Sequence, residues 1–330
     1  MKTFLKILGI IVLVLIVAAV GFAIYFNSKF PVKIEVQNVK VDATPERLKR
    51  GEYLCEHVVG CIDCHSDRDF HYYAGPAVKG TEGKGGFEFN EKLVGIPGKI
   101  YPCNITPAGI GDWTDGELIR IITSGINKKG EAKFPIMPYM HYAGLCQEDL
   151  YSVVAYIRTL KPIENKVPAQ NLDFPMSMIV KSIPEPDPPP PPMPDKSDII
   201  AYGKYLTNAV ACIECHTQND KGKFLPGMEF AGGLTFHLPN NDAIRSANIT
   251  PDLETGIGTW TKEAFIQRFK SYVDSTGAEK MIPTEEHQKN TVMPWTALGG
   301  MTEEDLGAIY SYLRTITPVK YKVETFTAAK

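Results

Sequence analysis

The chain has 330 residues, of which 44% are hydrophobic and 22% are charged, and this composition excludes a disordered or fibrous protein. Its formal net charge is only −3, and the sequence lacks the basic patch that nucleic-acid binding calls for. The length is sufficient for two domains. Seven cysteines are an odd number, so disulfide pairing alone does not account for all of them.

The first 30 residues form a separate hydrophobic segment. Lys2 and Lys6 precede an uncharged run from Ile7 to Phe26. As a helix this run would span about 30 Å, the thickness of the hydrocarbon core of a bilayer. A cleavable signal peptide has a shorter apolar core of roughly 7–15 residues and a small-residue cleavage site, which this segment lacks. We therefore predict an uncleaved transmembrane anchor at residues 1–30, with a cleaved leader as the alternative.

The rest of the chain contains the same sequence blocks twice, in the same order, which indicates a tandem duplication. The matching blocks are Cys61-Ile62-Asp63-Cys64-His65 with Cys212-Ile213-Glu214-Cys215-His216, Asn104-Ile105-Thr106-Pro107 with Asn248-Ile249-Thr250-Pro251, Gly109-Ile110-Gly111 with Gly256-Ile257-Gly258, Met137-Pro138 with Met293-Pro294, and Glu148-Asp149-Leu150 with Glu304-Asp305-Leu306. The duplication predicts a first domain at residues 44–165 and a second domain at residues 195–320.

Each copy has helix signals separated by long intervals rich in glycine and proline. Thr44 and Pro45 are an N-cap and first-turn pair, and Thr114 begins a capping box with Glu117. Thr302 begins the last helix, whose apolar residues recur at helical spacing. Strand signals are sparse. We expect a mainly α fold in which helices and long loops wrap a cofactor that completes the core.

A proline-rich segment at residues 184–194 separates the two copies. Pro188 through Pro192 are consecutive prolines, and such a run favours the extended polyproline II conformation. We interpret this segment as a semi-rigid linker, because a domain boundary is already required there. A proline-rich ligand for a recognition domain is the alternative.

The Cys-x-x-Cys-His motif at residues 61–65 and 212–216 is the attachment site of c-type haem. Two thiols at this spacing reach the vinyl groups of one porphyrin edge, and the next histidine lies beneath the iron. A zinc site or a thioredoxin-like pair is the rival interpretation. The pair of motif cysteines in each domain does not complete a zinc site, and no βαβ pattern surrounds either motif. We predict two covalently bound haem c groups, whose binding residues are Cys61, Cys64, His65, Cys212, Cys215 and His216.

The sixth iron ligand in each domain is predicted to be a methionine. Met137 and Met293 each precede a proline that stiffens the loop, and they lie at the same distance before Asp149 and Asp305. Methionine ligation gives a haem a high reduction potential. The metal ligands would then be His65, Met137, His216 and Met293. Met301 is the alternative in the second domain.

The remaining histidines and cysteines break the symmetry of the two copies. His141 lies four residues after Met137 and is the rival iron ligand in the first domain. Cys55, Cys103 and Cys146 occur only in that domain. A disulfide between Cys103 and Cys146 is one possibility in an exported protein, and a thiolate in place of a methionine ligand is another.

These blocks resemble those of the cytochrome c subunits of bacterial membrane-bound dehydrogenases for alcohols, gluconate or fructose. The resemblance rests on residues 248–252, 255–261, 293–294 and 304–313, and it extends over both haem domains. It implies two tandem class I cytochrome c domains and electron relay from a dehydrogenase partner. Those subunits often have three haem domains and a C-terminal anchor, whereas this sequence predicts two domains and an N-terminal anchor.

The motifs and the anchor together predict an electron-transfer protein rather than an enzyme. We expect a dihaem cytochrome c in the cytoplasmic (inner) membrane, with its haem domains on the periplasmic side. It would relay electrons from a dehydrogenase or quinol-oxidising complex to a terminal oxidase or soluble cytochrome. One alternative is a dihaem redox enzyme, of peroxidase or thiosulfate-oxidising type, with one haem that lacks methionine. A third possibility is a structural subunit whose haems serve a larger complex.

Overall fold

The computed structural model describes residues 1–186 and 188–329, so Asp187 of the predicted linker lies outside the described residues. The chain begins with a long helix, α1 (Lys2–Lys29), none of whose residues is buried. An 18-residue window of this helix has a mean hydropathy of 3.2, which by length and composition is apolar enough to cross a membrane. The predicted N-terminal hydrophobic helix is therefore confirmed as a helix.

The first half of the remaining chain consists of short helices and a small sheet. Its helices are α2 (Pro45–Tyr53), α3 (Cys61–Cys64), α4 (Glu91–Val94), α5 (Pro107–Ile110), α6 (Asp115–Ser124), α7 (Tyr139–Tyr142), α8 (Gln147–Ile157) and α9 (Met176–Ile179), with a π-helix at Leu54–Val58 and a 3-10 turn at Val180–Ser182. The strands β1 (Phe89–Asn90), β2 (Gly98–Ile100) and β3 (Asn171–Leu172) form an antiparallel sheet in that order.

The second half is also mainly helical. Its helices are α10 (Ile199–Ala209), α11 (Cys212–His216), α12 (Lys262–Lys270), α13 (Trp295–Gly299) and α14 (Glu303–Leu313). Its strands are β4 (Asn219–Asp220), β5 (Lys223–Phe224), β6 (Thr235–His237), β7 (Ala243–Arg245) and β8 (Phe326–Thr327). Strands β4 and β5 form an antiparallel hairpin, and β6, β7 and β8 form an antiparallel sheet.

The predicted helix starts are present. Thr44 accepts a hydrogen bond from the Arg47 amide at the start of α2, and Thr302 caps α14 in the same way. At the start of α6, Thr114 and Glu117 form both hydrogen bonds of a capping box. Each cap satisfies backbone N–H groups that have no partner within the helix.

Two close helix crossings have the same geometry, one in each half. Helix α2 packs on α8 at Gly51, and α10 packs on α14 at Gly203. A Cβ atom at either glycine would lie 2.0 Å from a backbone carbonyl oxygen of the facing helix, Ser152 in one case and Ala308 in the other. Only glycine allows the two helix backbones to approach this closely.

The two halves differ by one residue between this crossing and the Cys-x-x-Cys-His motif. From Leu54 to Gly60 the first half has one residue more than the matching segment from Leu206 to Ala211. The π-helix absorbs the extra residue, because its Val59 amide donates to the Leu54 carbonyl five residues earlier, at 2.8 Å. Gly60 and Ala211 both have left-handed backbone conformations, so each motif starts from the same turn.

We expect Gly51→Ala and Gly203→Ala each to destabilise the protein by about 1–3 kcal/mol, because the added methyl group must force two packed helices apart. Denaturant unfolding followed by circular dichroism measures this loss. Lys204→Ala is the matched control, because Lys204 is adjacent to Gly203 but exposed. An unchanged unfolding midpoint in both glycine variants would show that these crossings are looser than described.

The two halves share one hydrophobic core. A single cluster of buried residues includes Leu54 and Leu150 of the first half with Leu206 and Leu306 of the second. One tyrosine of each half donates a hydrogen bond to an aspartate of the other half. The Tyr53 hydroxyl donates to Asp305 at 2.6 Å, and the Tyr205 hydroxyl donates to Asp149 at 2.6 Å.

The two halves are therefore packed directly against each other, and the proline-rich segment is not their main connection. The described residues of that segment, 184–186 and 188–194, contain no helix or strand.

Candidate functional site

The first half encloses a cavity of about 340 Å³, which Cys61, Cys64, His65 and Met137 all line. Most of its other lining residues are apolar: Ile105, Ile110, Trp113, Leu118, Ile121 and Leu145 among them. Protein interiors are normally close-packed, and a cavity of only about 150 Å³ already admits a benzene molecule. The first cavity is thus a large apolar site with two thiols, an imidazole and a thioether on its walls.

His65 is held in one orientation by a backbone carbonyl. Its Nδ1 atom lies 2.7 Å from the carbonyl oxygen of Cys103, and a carbonyl can only accept, so Nδ1 carries the proton and donates. His216 has the same contact in the second half, with Nδ1 2.7 Å from the Ala247 carbonyl oxygen. In each histidine Nε2 is left as the ligating atom, which is how histidines that bind metals are usually oriented.

In each histidine, burial acts to lower the pKa and the hydrogen bond at Nδ1 acts to raise it. Burial lowers the pKa of His216, and its hydrogen bond to Ala247 does not overcome this effect. Burial also acts to lower the pKa of His65, but the contacts with Cys103 outweigh it, and the pKa is raised. Since Nδ1 is committed to a carbonyl in both, any change of charge occurs at Nε2.

The repeated Asn-Ile-Thr-Pro block positions the carbonyl that orients each histidine. Asn104 accepts hydrogen bonds from the backbone amide and the hydroxyl of Thr106, and its own amide donates to the Ile163 carbonyl at 2.7 Å. Cys103 directly precedes this turn. The turn therefore fixes the Cys103 carbonyl against the segment that follows α8.

The second half builds the same turn. Asn248 accepts from the amide and hydroxyl of Thr250 and donates to the Val319 carbonyl at 2.8 Å, after α14. Ala247 precedes it and provides the carbonyl for His216. Sequence reasoning found this block but gave it no role, although its recurrence in both copies was a sufficient signal that it had one.

The loops that carry the two predicted methionine ligands have the same backbone conformation. Pro138 has φ −78° and ψ 57°, and Pro294 has φ −78° and ψ 62°. The residue after each proline donates its amide to the methionine carbonyl at 2.7 Å. A short helix, α7 or α13, then follows. Met137 and Met293 are thus presented by matching turns, each at the wall of a cavity.

The second cavity has a volume of about 170 Å³ and is lined by Cys215, His216, Met293 and Trp295. Three cationic side chains also line it: Arg245, Arg268 and Lys289. The cations are suited to the carboxylates of a haem, and the thiol, imidazole and thioether are suited to its attachment and ligation. The first cavity is lined by both of its motif cysteines, whereas the second is lined by Cys215 but not by Cys212, which packs against the hydrophobic core. Each cavity also has one histidine and one methionine on its wall, and these groups are suited to a covalently bound haem.

Met301, the alternative ligand in the second domain, and Met140, a further methionine beside the first loop, both lie away from the cavities. Met301 is completely buried in the hydrophobic core and is absent from the lining of the second cavity. Met140 follows Met137 closely but is 54% exposed. The structure thus brings Met137 and Met293 to the cavities, and neither alternative methionine lines one.

The suggested disulfide between Cys103 and Cys146 is wrong. All seven cysteines, each within the described residues, are free. Cys103 is exposed and lines the first cavity, whereas Cys146 is buried and its backbone amide donates to the Tyr205 hydroxyl oxygen at 3.3 Å. Cys146 is the residue that precedes the first turn of α8, and Cys103 contributes its backbone carbonyl to His65, so the two residues have separate positions in the fold.

His141 connects the two halves and does not line the first cavity. Its Nε2 lies 2.6 Å from a Glu214 carboxylate oxygen and its Nδ1 lies 2.8 Å from Oδ1 of Asn208. The Asn208 amide donates to the His141 carbonyl at 2.9 Å, which fixes Oδ1 as the acceptor facing the ring. Both ring nitrogens face acceptors, so these contacts favour the protonated imidazolium form of His141. The prediction of His141 as a rival iron ligand is not supported by this geometry.

We expect the stability that His141 contributes to decrease as the pH rises. Burial acts to lower its pKa, but the hydrogen bonds to Glu214 and Asn208 outweigh this and raise it above the ordinary value of 6.5. A raised pKa in the folded protein means that the stabilisation is complete below 6.5 and is lost as the pH rises through the folded-state pKa. Denaturant unfolding of wild type and His141→Ala at several pH values measures the difference.

The destabilisation by His141→Ala should be larger in mild acid than in mild alkali. His237→Ala is the control, because His237 is exposed and lies at the end of strand β6. A destabilisation that is independent of pH would mean that His141 acts only through packing.

Comparison with known proteins identifies a domain type that fits these sites. Residues 200–317 match the model of the Cytochrome c family. The chain is 30% identical over 256 residues to the cytochrome c subunit of a quinone-dependent alcohol dehydrogenase from Gluconobacter oxydans, covering 70% of this chain and 48% of that protein. It is 30% identical over 285 residues to a fructose dehydrogenase cytochrome subunit from Gluconobacter japonicus, covering 82% of this chain and 52% of that protein.

A further relative has a similar length. A protein named diheme cytochrome c-type, from Cereibacter sphaeroides, is 25% identical over 281 residues, which are 79% of this chain and 83% of that protein. By contrast, the chain spans about half the length of the dehydrogenase cytochrome subunits that it matches. A cytochrome c domain binds its haem covalently, so the matched region implies a covalently bound haem c.

Proposed function

Because residues 200–317 form a cytochrome c domain, we propose that the whole chain is a membrane-anchored dihaem cytochrome c that relays electrons. The observation that carries this proposal is the repetition of one site geometry in both halves. Each half joins a Cys-x-x-Cys-His motif, a histidine oriented by a carbonyl and a methionine–proline turn around one cavity. The matched region contains only the second of these sites.

The first half is accordingly a second cytochrome c domain of class I type, at residues 44–165, and the second domain occupies residues 195–320. The residues 184–194 link them. The matching α2–α8 and α10–α14 crossings support this division, because an equivalent pair of helices packs at an equivalent glycine, Gly51 or Gly203, in each half.

The attachment residues follow from the two Cys-x-x-Cys-His motifs. Cys61 and Cys64 would attach one haem, and Cys212 and Cys215 would attach the other. A bound haem supplies an iron that accepts and releases one electron reversibly. The protein's residues determine how readily this happens. His65 and His216 would each bind the iron through Nε2, and Met137 and Met293 would each bind it through a thioether, a ligand pair that favours a high potential.

The N-terminal helix supports membrane attachment. Its 28 residues have the length and hydropathy of a membrane span and lie outside the hydrophobic core. Haem is attached to such motifs on the exported side of the membrane, so both domains would lie in the periplasm. Tethering to the membrane raises their effective concentration toward partners in the same membrane.

The proposed donor is a dehydrogenase or a quinol-oxidising complex, and the proposed acceptor is a terminal oxidase or a soluble cytochrome. The names of the relatives support a dehydrogenase as the donor, since those proteins are cytochrome subunits of alcohol and fructose dehydrogenases. The chain would be a non-catalytic electron carrier, with the substrate chemistry on its partner.

A stopped-flow experiment tests the relay function. The purified full-length chain, reduced with dithionite and freed of excess, is mixed with ferric mitochondrial-type cytochrome c as a probe acceptor. We expect the acceptor to reoxidise both haems rapidly. In a parallel mixture with hydrogen peroxide instead of the acceptor, we expect the peroxide to be left unconsumed. Turnover of peroxide, or one high-spin haem that does not pass its electron on, would instead indicate the dihaem redox enzyme.

A further inference from the structure

The second cavity is completed by a residue of the first half. Tyr73 lines this cavity together with Cys215, His216 and Met293. It belongs to a segment that follows the first Cys-x-x-Cys-His motif, residues 69–75, which we call the bridging arm. The second half has no such arm among its described residues, because its corresponding segment forms the β4–β5 hairpin.

Backbone hydrogen bonds fix the bridging arm to the second half. The Tyr73 amide donates to the Ile282 carbonyl at 2.8 Å, and the Thr284 amide donates to the His71 carbonyl at 2.9 Å. Asn290, which is buried, accepts from the Ala74 amide at 2.9 Å and donates to the carbonyls of Phe70 and Tyr72. The arm is thus held along its length, and the position of Tyr73 is determined by its backbone.

The ring of Tyr73 adds to an aromatic wall. It stacks on Tyr272 with 5.3 Å between ring centroids and 9° between planes, and Tyr272 lies 5.3 Å from Trp295. Arg268 lies over Tyr272 and Trp295, 5.2 Å and 4.7 Å from their centroids. Trp295 and Arg268 also line the cavity. Tyr73 and Trp295 are therefore the two ends of a three-ring stack, and both ends line the second cavity.

The other end of the arm is tied to the first attachment motif. Arg68 donates to the carbonyls of Ala74 and Gly75, both at 2.8 Å. Its guanidinium also lies 3.3 Å from Asp63, the residue between Ile62 and Cys64. Both side chains of this ion pair are nearly buried. One continuous set of contacts thus runs from the first motif to the wall of the second cavity.

We propose that Tyr73 is a positioning residue for the haem of the second site, supplied by the first half of the chain. This inference rests on the proposed function, since it requires a haem at each motif. An aromatic side chain that covers a haem edge keeps water away from it. Water stabilises the more highly charged ferric state, so exclusion of water raises the reduction potential. The second haem therefore depends on the first domain for part of its high potential.

A redox titration of full-length variants tests the proposal. Met293→Ala first identifies which of the two redox steps belongs to the second haem. We expect Tyr73→Ala to shift that step to a lower potential and to leave the other step at its wild-type value. Tyr73→Phe keeps the ring and should retain most of the wild-type potential. Tyr72→Ala is the matched control, because Tyr72 is in the same arm but does not line the cavity.

The outcomes separate the proposal from its premise. A wild-type protein that titrates as a single haem would contradict the proposed function. Two wild-type steps, with Tyr73→Ala leaving the second-haem step in place or shifting both steps equally, would overturn only the role of Tyr73. If Tyr73→Ala does not accumulate as folded protein, Tyr73→Leu is titrated in its place and judged by the same criterion.

Discussion

Replacing Cys212 and Cys215 together by alanine should leave the chain with one covalently bound haem where the wild type has two. The thioether bonds are the attachment, and neither cysteine has a substitute, because the second half contains no other cysteine. The corresponding change of Cys61 and Cys64 should remove the haem of the first half. Haem per chain, measured by the pyridine haemochrome absorbance and by haem staining after denaturing electrophoresis, should fall by half in each variant.

Cys103→Ala is the matched control for the first site. Cys103 lines the same cavity as Cys61 and Cys64, and its backbone carbonyl, which accepts the hydrogen bond from the His65 ring, is retained when the side chain is replaced by alanine. Haem content should be unchanged in this variant. A full haem complement after loss of both motif cysteines would show that attachment occurs elsewhere.

Removing a methionine ligand should change the electronic state of one haem. Met137→Ala and Met293→Ala should each abolish the sulfur-to-iron charge-transfer band of one ferric haem and lower the potential of that haem alone. Axial ligands determine haem potentials over a range of roughly 0.8 V, so this shift should be the largest that any single substitution produces here. Near-infrared absorption and a redox titration measure the two effects.

The two remaining methionines near these loops serve as controls. Met140 is 54% exposed and Met301 is fully buried away from the second cavity, so Met140→Ala and Met301→Ala should both keep both bands. Loss of the second-haem band in Met301→Ala, with Met293→Ala unaffected, would reverse the assignment.

The sequence predicted the local features well, because they depend on residues that are close together in the chain. The caps at Thr44, Thr114 and Thr302 were predicted from spacing alone. The positions of Met137 and Met293 were inferred from their recurrence before proline, and the structure brings both to a cavity wall. Duplication provided a second copy against which each local pattern could be compared.

The features that the sequence did not reveal depend on how the two halves pack. The reciprocal Tyr53–Asp305 and Tyr205–Asp149 hydrogen bonds join residues that lie far apart in the chain. The short distance along the chain from Met137 to His141 suggests a rival iron ligand, but the partners of His141, Asn208 and Glu214, are in the other half.

The wrong disulfide had a similar cause. Cys103 and Cys146 are two of the three cysteines outside the attachment motifs, but a shared domain does not place two thiols side by side. In the fold one faces the cavity and the other is buried beside Tyr205. No local sequence pattern distinguishes Cys103, whose backbone carbonyl orients a histidine ring, from Cys146, whose side chain is buried between the two halves.

A redox titration of the purified full-length chain, followed by its visible spectrum, tests the central claim most directly. The proposed dihaem relay predicts two one-electron steps of equal absorbance change, both at high potential and both from low-spin haems with histidine and methionine ligands. A single step that accounts for all of the bound haem, with one haem per chain, would contradict it, as would a high-spin haem in either half.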